Sequence, residues 1–580
     1  MTTWRLFPLL ALAVSPVTLV ADGGTVITVG TGEELDLSGK TDDDYKNASL
    51  KLGGTVKRTA GDARYHFFDN GVELTGTATI NNTVRTGFAY GSTFDMNGYK
   101  LTRTGWGNDG WFFFNDTTFV DPGDIDHKSG YLAFQGRIQG TSSAKTLNSS
   151  GGIMFSNVAA SDPLAFKFNV AADSSLTVVG GQATTQEGDY NVMTGELVVG
   201  AGKKLSVDVR ANTFVTFGTK TTNNGTIEKN GDGTMILGGT VALANSRYDV
   251  KAGCLRIGGD PTASSFVRYV YVTGGLLEFL NAGFVQHDNN QVGTAQVAST
   301  SPANPARLVI GSGTVFNGVT PYTTTRLLTG LSSGGYGMAE LLAGGVQTNC
   351  MTVGYQGYGA FLQRGGKLYW KGMDTPTRDC IGYDAGAYGY VGIDGGSSEI
   401  AGRLWTGWKA GSTGIIVQRG GTVTANGNAN GESVHFGNGR SVYALLGGTF
   451  NGKLKLSVEN TEATAVDSSS AFVVSGTDTV ATVSGYLASW VKNPYTTICC
   501  LRDGGRLKSH RIAHVCRRSC ADSKFYLGFE EACFSRSRPG GISIRMTART
   551  IRRPSLSMME VASLIRARAS TSRGSWLVEH

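Results

Sequence analysis

Four stretches in the middle of the chain share one alternation of apolar and polar positions: VGYQGYGAFLQRGGKLYW (353–370), IGYDAGAYGYVGIDGGSSEI (381–400), TGWKAGSTGIIVQRGGTV (406–423) and FGNGRSVYALLGGTF (436–450). Each spells a strand, a glycine corner, a second strand, a second corner and the start of a third strand. With a strand period of two, Phe361, Val391 and Ile416 share a face with Gln363, Ile393 and Gln418, and the apolar members make that face the interior. Arg364, Asp394 and Arg419 then point outward. Coils stacked about 4.8 Å apart would place these opposite charges in cross-strand pairs worth about 0.2–1 kcal/mol each. An interior Gln363 needs partners for its amide. A stacked amide on a nearby coil is the expected remedy, although Ile393 interrupts a continuous ladder.

The corners carry a second pattern. Glycine doublets at Gly344-Gly345, Gly365-Gly366, Gly395-Gly396, Gly420-Gly421 and Gly447-Gly448 recur at steps of 21, 30, 25 and 27 residues. That length suits one coil of a parallel β-solenoid and is too irregular for a helical repeat array. Sharp turns need positive φ, which glycine takes without strain, while proline would remove a ladder donor wherever a coil pairs on both sides. The chain has 83 glycines and only 12 prolines. The expected fold is all-β, a single elongated parallel β-solenoid. Coils of about 24 residues over about 25–490 would number roughly 19 and build a rod on the order of 90 Å, with a non-solenoid basic tail after it.

Residues 223–259 read NNGTIEKNGDGTMILGGTVALANSRYDVKAGCLRIGG. They resemble the autotransporter-associated β-strand repeat: a strand, a Gly-x-Gly-Thr turn, a short apolar strand, and a stretch ending in a Gly-x-Leu strand. Gly231, Gly233, Thr234, Ile236, Leu237, Gly253, Leu255 and Ile257 carry the match. More loosely, the coils at 335–452 resemble the glycine-doublet repeats of large secreted bacterial proteins. The resemblance implies a right-handed β-helix displayed outside a bacterial cell. One departure stands: nothing after Trp490 alternates like the strands of a membrane barrel, which leaves the export route open.

The first residues place Arg5 before an apolar run ending near Ala21, which reads as a secretory signal peptide (1–21), the alternative being an uncleaved anchor. Residues 22–140 then read as an N-terminal cap with irregular coils, 141–300 as solenoid containing the 223–259 repeat, and 301–490 as glycine-doublet coils. The aromatic run Trp111-Phe112-Phe113-Phe114 lacks clean alternation. It reads as the plug that caps the first coil, or as a strand buried on both faces, with the cap favoured.

Charge divides the chain. The whole carries a formal +7, but residues beyond Lys492 hold 16 Lys or Arg against six Asp or Glu, so the body is near −3 and nucleic-acid binding is not expected. Five of the eight cysteines also fall in 491–580, so disulfides are not expected to staple the body. This segment has three readings: a disordered basic tail, a reading-frame shift, or a small zinc module built on His510, His514, Cys516 and Cys520. No later segment approaches about 18 uninterrupted apolar residues, so the mature chain is not expected to span a membrane.

Candidate chemistry is sparse. The densest acids, Asp121, Asp124 and Asp126 beside His127, are the best catalytic candidates for a polysaccharide lyase or glycoside hydrolase, against a reading as turn capping and loop solvation. Asp42–Asp44 read as a solvated loop, and Asp232 as part of the repeat. The stronger signal is aromatic: Tyr355, Tyr383 and Trp408 follow the same glycine in successive coils, while Tyr358 and Tyr388 recur nearby. Exposed, such a strip suits sugar rings; buried, it is offset packing. The expected function is a structural or adhesive surface solenoid, monomeric and without cofactor, meeting an extracellular glycan or cell-surface partner. The alternatives are the β-helix lyase or hydrolase and a non-catalytic carbohydrate-binding solenoid.

Overall fold

The computed structural model describes residues 24–516 and 524–529, apart from 62–64, 106–109, 181–189, 243–245, 259, 262–266, 281–293, 303–304, 312–321, 325, 349, 371–378, 428–433, 457–468 and 492–495. The chain folds as a parallel β-solenoid of about 16 turns, with almost no helix. Register partners on successive coils, such as Val26 with Ser49, Arg103 with His127 and Tyr388 with Thr413, stand 23 to 25 residues apart, close to the expected coil length of about 24, and most coils carry three short strands and three corners. The first face runs from Val26–Val29 through five paired strands and resumes as a fourteen-stranded sheet from Val192–Met193 to Lys524–Phe529. The second begins with Glu34–Asp36 and keeps eleven strands to Asp260–Pro261. The third begins at Tyr65–Phe67. Towards the C-terminus the second and third faces fuse: Val480–Val491 is one strand that pairs with both Thr449–Gly452 and Leu454–Lys455.

Alternation decides which side chains enter. In Ser174–Val179 and Lys204–Val209 every second residue is buried, and these inward positions join one apolar core from Ile27 to Leu507. Phenylalanines fill it in the early coils, with Phe88 edge-on to Phe112 at 5.1 Å and Phe114 stacked on Phe134 at 5.6 Å. Such pairs add about 0.5–1.5 kcal/mol each beyond their buried area.

The aromatic run is not a cap. Trp111–Asn115 is an internal strand between Thr86–Phe88 and Tyr131–Gln135. Phe112 and Phe114 enter the core, while Phe113 packs outside with Ala133 and Met154, so alternation is lost because both sides are covered. It is Tyr45, from the single helical turn Asp42–Tyr45, that packs against the early core, its ring 5.9 Å from Phe68.

The repeat register is the one that the pattern specifies. Phe361, Val391 and Ile416 are Cα partners in adjacent strands, as are Gln363, Ile393 and Gln418, and all six are buried. Asp394 pairs with Arg364 and with Arg419, the latter at 2.7 Å, and Glu340 extends the ladder to Arg364 at 3.0 Å. The glutamines, however, do not form an amide ladder. Gln363 Nε2 donates to the carbonyls of Gly366 (3.3 Å) and Ser397 (3.0 Å), and Gln418 Nε2 to those of Gly421 (3.1 Å) and Thr449 (3.0 Å). Each caps its own corner and the next, which needs no amide on the intervening coil.

The break in composition near Tyr495 is not where pairing stops. Thr496–Arg502, Arg506–Cys516 and Lys524–Phe529 extend the ladders in parallel, and Gly504-Gly505 forms one more doublet, with Gly504 at φ 75°. The expected boundary at 490 thus falls inside the paired region. A strand needs only alternating inward residues, here Cys499 and Leu501, and neither glycine nor threonine.

At the corner after the first face, Gly344, Gly366, Gly396, Gly421 and Gly448 stand one above another, all with φ between 68° and 76°. A Cβ on Gly421 would lie 2.5 Å from the Gly396 carbonyl oxygen. Gly386, at φ 79°, would place its Cβ in open space. Gly386→Ala should therefore cost only the positive-φ penalty of roughly 1–2 kcal/mol. Gly421→Ala adds a backbone collision and should cost clearly more, measured as the difference in urea unfolding free energy.

Candidate functional site

The glycines at 354, 382 and 407 turn the chain from the third face to the first and set Tyr355, Tyr383 and Trp408 at equivalent points. Tyr355 and Tyr383 stack at 4.9 Å with planes 3° apart. Trp408 instead meets Trp405 edge-on at 4.5 Å. Together with Cys380 these rings form a small outer apolar cluster in which Tyr383 is only 8% exposed. Burial pushes the Tyr383 hydroxyl pKa up. Lys409 Nζ lies 5.3 Å over the Tyr383 ring and 2.8 Å from Asp384, which also accepts from Gln356 at 3.3 Å. The hydrogen bond from Lys409 holds the Asp384 carboxyl below its ordinary range. With ring faces turned to one another and to Lys409, this strip is occupied chiefly by its own packing.

A second strip is more open. Tyr336 stacks on Tyr358 at 4.9 Å and 5°, and Tyr388 follows at 6.3 Å, tilted by 35°. Tyr358 is 46% exposed. The four aligned segments left out Tyr336, although its Tyr-Gly step repeats that of Tyr358-Gly359 and Tyr388-Gly389 and would have revealed it.

The acidic candidates are close in sequence and engaged elsewhere. Asp121 is an exposed corner residue at φ 39°. Asp124 accepts the backbone N–H of Thr146 at 2.8 Å. Asp126 accepts from Asn148 at 2.9 Å and pairs with Lys100 at 3.3 Å and Lys128 at 3.8 Å. Burial raises its pKa, but Asn148, Lys100 and Lys128 outweigh that and hold it below the ordinary value. His127 points to the other side of the strand, into the core, where Nε2 bonds the Gly130 carbonyl at 3.2 Å. Asp126 and His127 thus lie on opposite faces of one strand and do not converge. Asp42–Asp44, read as a loop, form the helical turn, with the Asp44 carboxylate accepting the Thr41 N–H at 2.8 Å.

His510, His514 and Cys516 fall on the strand Arg506–Cys516, and Cys520 lies outside the described residues. Among the described residues no group of three or more His, Cys, Asp or Glu is placed to hold a metal ion, and the buried Cys380 and Cys499 are free thiols.

No protein-family model matches the chain, and no curated protein or solved structure does so either. The site must be read from its own geometry.

Two buried histidines give that geometry a pH dependence. Burial, with the positive charge of Arg103 nearby, lowers the His127 pKa to about 3; burial, with Lys455 and Arg403, lowers that of His435 to about 3. Both are neutral in the folded chain, whereas an unfolded histidine takes up a proton near pH 6.5. Stability should therefore rise as pH increases from about 3 to about 6.5 and be lost as pH falls through that window. Urea midpoints measured across it should fall steadily, and His127→Asn should flatten the slope.

Proposed function

We propose that this protein is an exported, surface-displayed solenoid of the autotransporter-associated type, acting through extended contact along its coils and not through catalysis. One observation carries this reading. The side chains that look chemical in the sequence are committed to holding coils together: Asp124 and Asp126 bond the following coil, and Arg364, Asp394 and Arg419 bond one another. A lyase or hydrolase would need Asp121, Asp124 and Asp126 turned towards a common base. The apolar leader supports export, and the Gly-x-Gly-Thr repeat supports the family resemblance.

The carbohydrate-binding reading draws support from Tyr358, whose exposure leaves Tyr336, Tyr358 and Tyr388 as a strip that an extracellular glycan could meet. No helix among the described residues is long and apolar enough to cross a membrane.

Fractionation of expressing bacteria tests the proposal. The chain should be found outside the cytoplasm and be accessible to added protease on intact cells. Leu10→Arg, which breaks the apolar leader, should retain it inside. Wild-type protein confined to the cytoplasm would refute export. Release of reducing sugar or unsaturated products from polysaccharides, lost in Asp124→Asn and Asp126→Asn, would refute the non-catalytic reading.

A further inference from the structure

From Tyr336 onward the central outward columns of the first face are apolar, as its inside is, whereas earlier coils of the same face carry Lys51 and Glu73 or Arg256 and Glu278 outside. Strands of a sheet covered on one side alternate apolar with polar residues, whereas strands covered on both sides read as nearly continuous apolar runs. The successive first-face strands Tyr336–Leu341, Tyr358–Gln363, Tyr388–Ile393, Thr413–Gln418, Arg440–Leu445 and Ser469–Ser475 read YGMAEL, YGAFLQ, YGYVGI, TGIIVQ, RSVYAL and SSAFVVS. Their inward residues, such as Phe361, Val391, Ile416 and Tyr443, fill the core. Their outward residues are apolar in the middle column, Met338, Tyr390, Ile415 and Val442, and in the next beyond Glu340, with Leu362 and Val417, while the remaining outward column at the strand starts passes from the tyrosine strip to Thr413 and Arg440. The second face of the early coils shows what solvent-facing positions here otherwise hold: Thr79, Thr102, Asp126, Asn148 and Asn169 are successive register partners.

We propose that this outer surface is the interface of a two-fold homodimer, the first face of one chain packing on the first face of a second copy. Six strands about 4.8 Å apart and about 20 Å long give a footprint of about 600 Å². With side-chain relief, that approaches the roughly 800 Å² per partner of a standard interface. The rim suits a second copy. The ladder of Glu340, Arg364, Asp394 and Arg419 alternates in sign along one edge. An antiparallel two-fold centred between Asp394 and Arg419 sets each of them against the copy of the other, the self-complementarity that an isologous interface requires. A sugar chain would find few hydrogen-bonding groups on the aliphatic columns, which favours a protein surface of the same kind. This proposal does not depend on the export reading.

Light scattering and sedimentation equilibrium on the full chain at micromolar concentration test it. The expected mass is twice that of one chain. The double variant Ile415→Lys/Val442→Lys should be monomeric with an unchanged far-ultraviolet spectrum, while Thr102→Lys on the second face should stay dimeric. Should the lysine pair prevent folding, Ile415→Ser/Val442→Ser decides, with dimer affinity expected to fall about tenfold or more. A monomeric wild type, a dimeric lysine variant with a native spectrum, or a serine variant of unaltered affinity would overturn the proposal.

Discussion

Coils stacked about 4.8 Å apart bring the backbone of each corner onto the corner beneath, and at that separation a side chain has nowhere to go. The column Gly344, Gly366, Gly396, Gly421 and Gly448 is the clearest case, because each member after the first would drive a Cβ into the carbonyl oxygen of the one before. Everything else in the repeat follows from that approach. It fixes register, because a shift of one residue would place a side chain at the corner and turn the core residues outward. It also lets coil length vary, since what must coincide is the corner and not the count of residues between corners.

Close corners raise a second problem: buried carbonyls that no strand partner reaches. The chain meets it with long inward donors placed at strand ends. In early coils these are cations. Arg103 donates to the carbonyls of Gly110 (2.5 Å), Asn82 (3.2 Å) and Ser129, and Lys229 Nζ to those of Asn230 (2.6 Å), Gly231 (2.7 Å) and Ala252 (3.3 Å). Burial lowers their pKa values, to about 10 for Arg103 and about 8 for Lys229. In later coils Gln363 and Gln418 do this for a different corner, the one after the first face, without the cost of desolvating a charge. Glutamine, arginine and lysine can each fill this role at their own corner because the acceptor is a carbonyl, which asks for a donor and not for a charge.

Much of this was legible in the pattern. Phe361, Val391 and Ile416 could be placed inside, and Arg364, Asp394 and Arg419 in an ion-pair ladder, because period two acts on each residue independently of its surroundings. What failed depended on the third dimension. Trp111–Phe114 could not be placed as an inner strand without knowing that Ala133 and Met154 cover it from outside. The partners of Gln363 could not be found, because a backbone carbonyl has no letter in the sequence. The continuation past residue 490 was readable from Gly504-Gly505, yet the arginines and cysteines around it masked the doublet. For the candidate site, the positions of Tyr355, Tyr383 and Trp408 at one corner and a packed strip as the favoured reading were legible, whereas the deeper burial of Tyr383 over the partly buried Tyr355 and Trp408 was not, because Trp405 and Cys380 come from the preceding strands.

The outer surface follows a different logic from the interior. Stacking constrains inward and corner residues in every coil, so their identities say how the chain folds and little about what it does. Outward positions are free of that constraint, and there the faces diverge: short polar residues on the second face of the early coils, aromatic and aliphatic ones on the first face from Tyr336 onward. Stability of the solenoid does not ask for Met338, Tyr390 or Ile415 outside, since the same strands already bury Val391 and Ile416 inside. Apolar residues that the fold does not require, gathered on one face over six consecutive strands, are where a contact surface leaves its mark on a repeat protein.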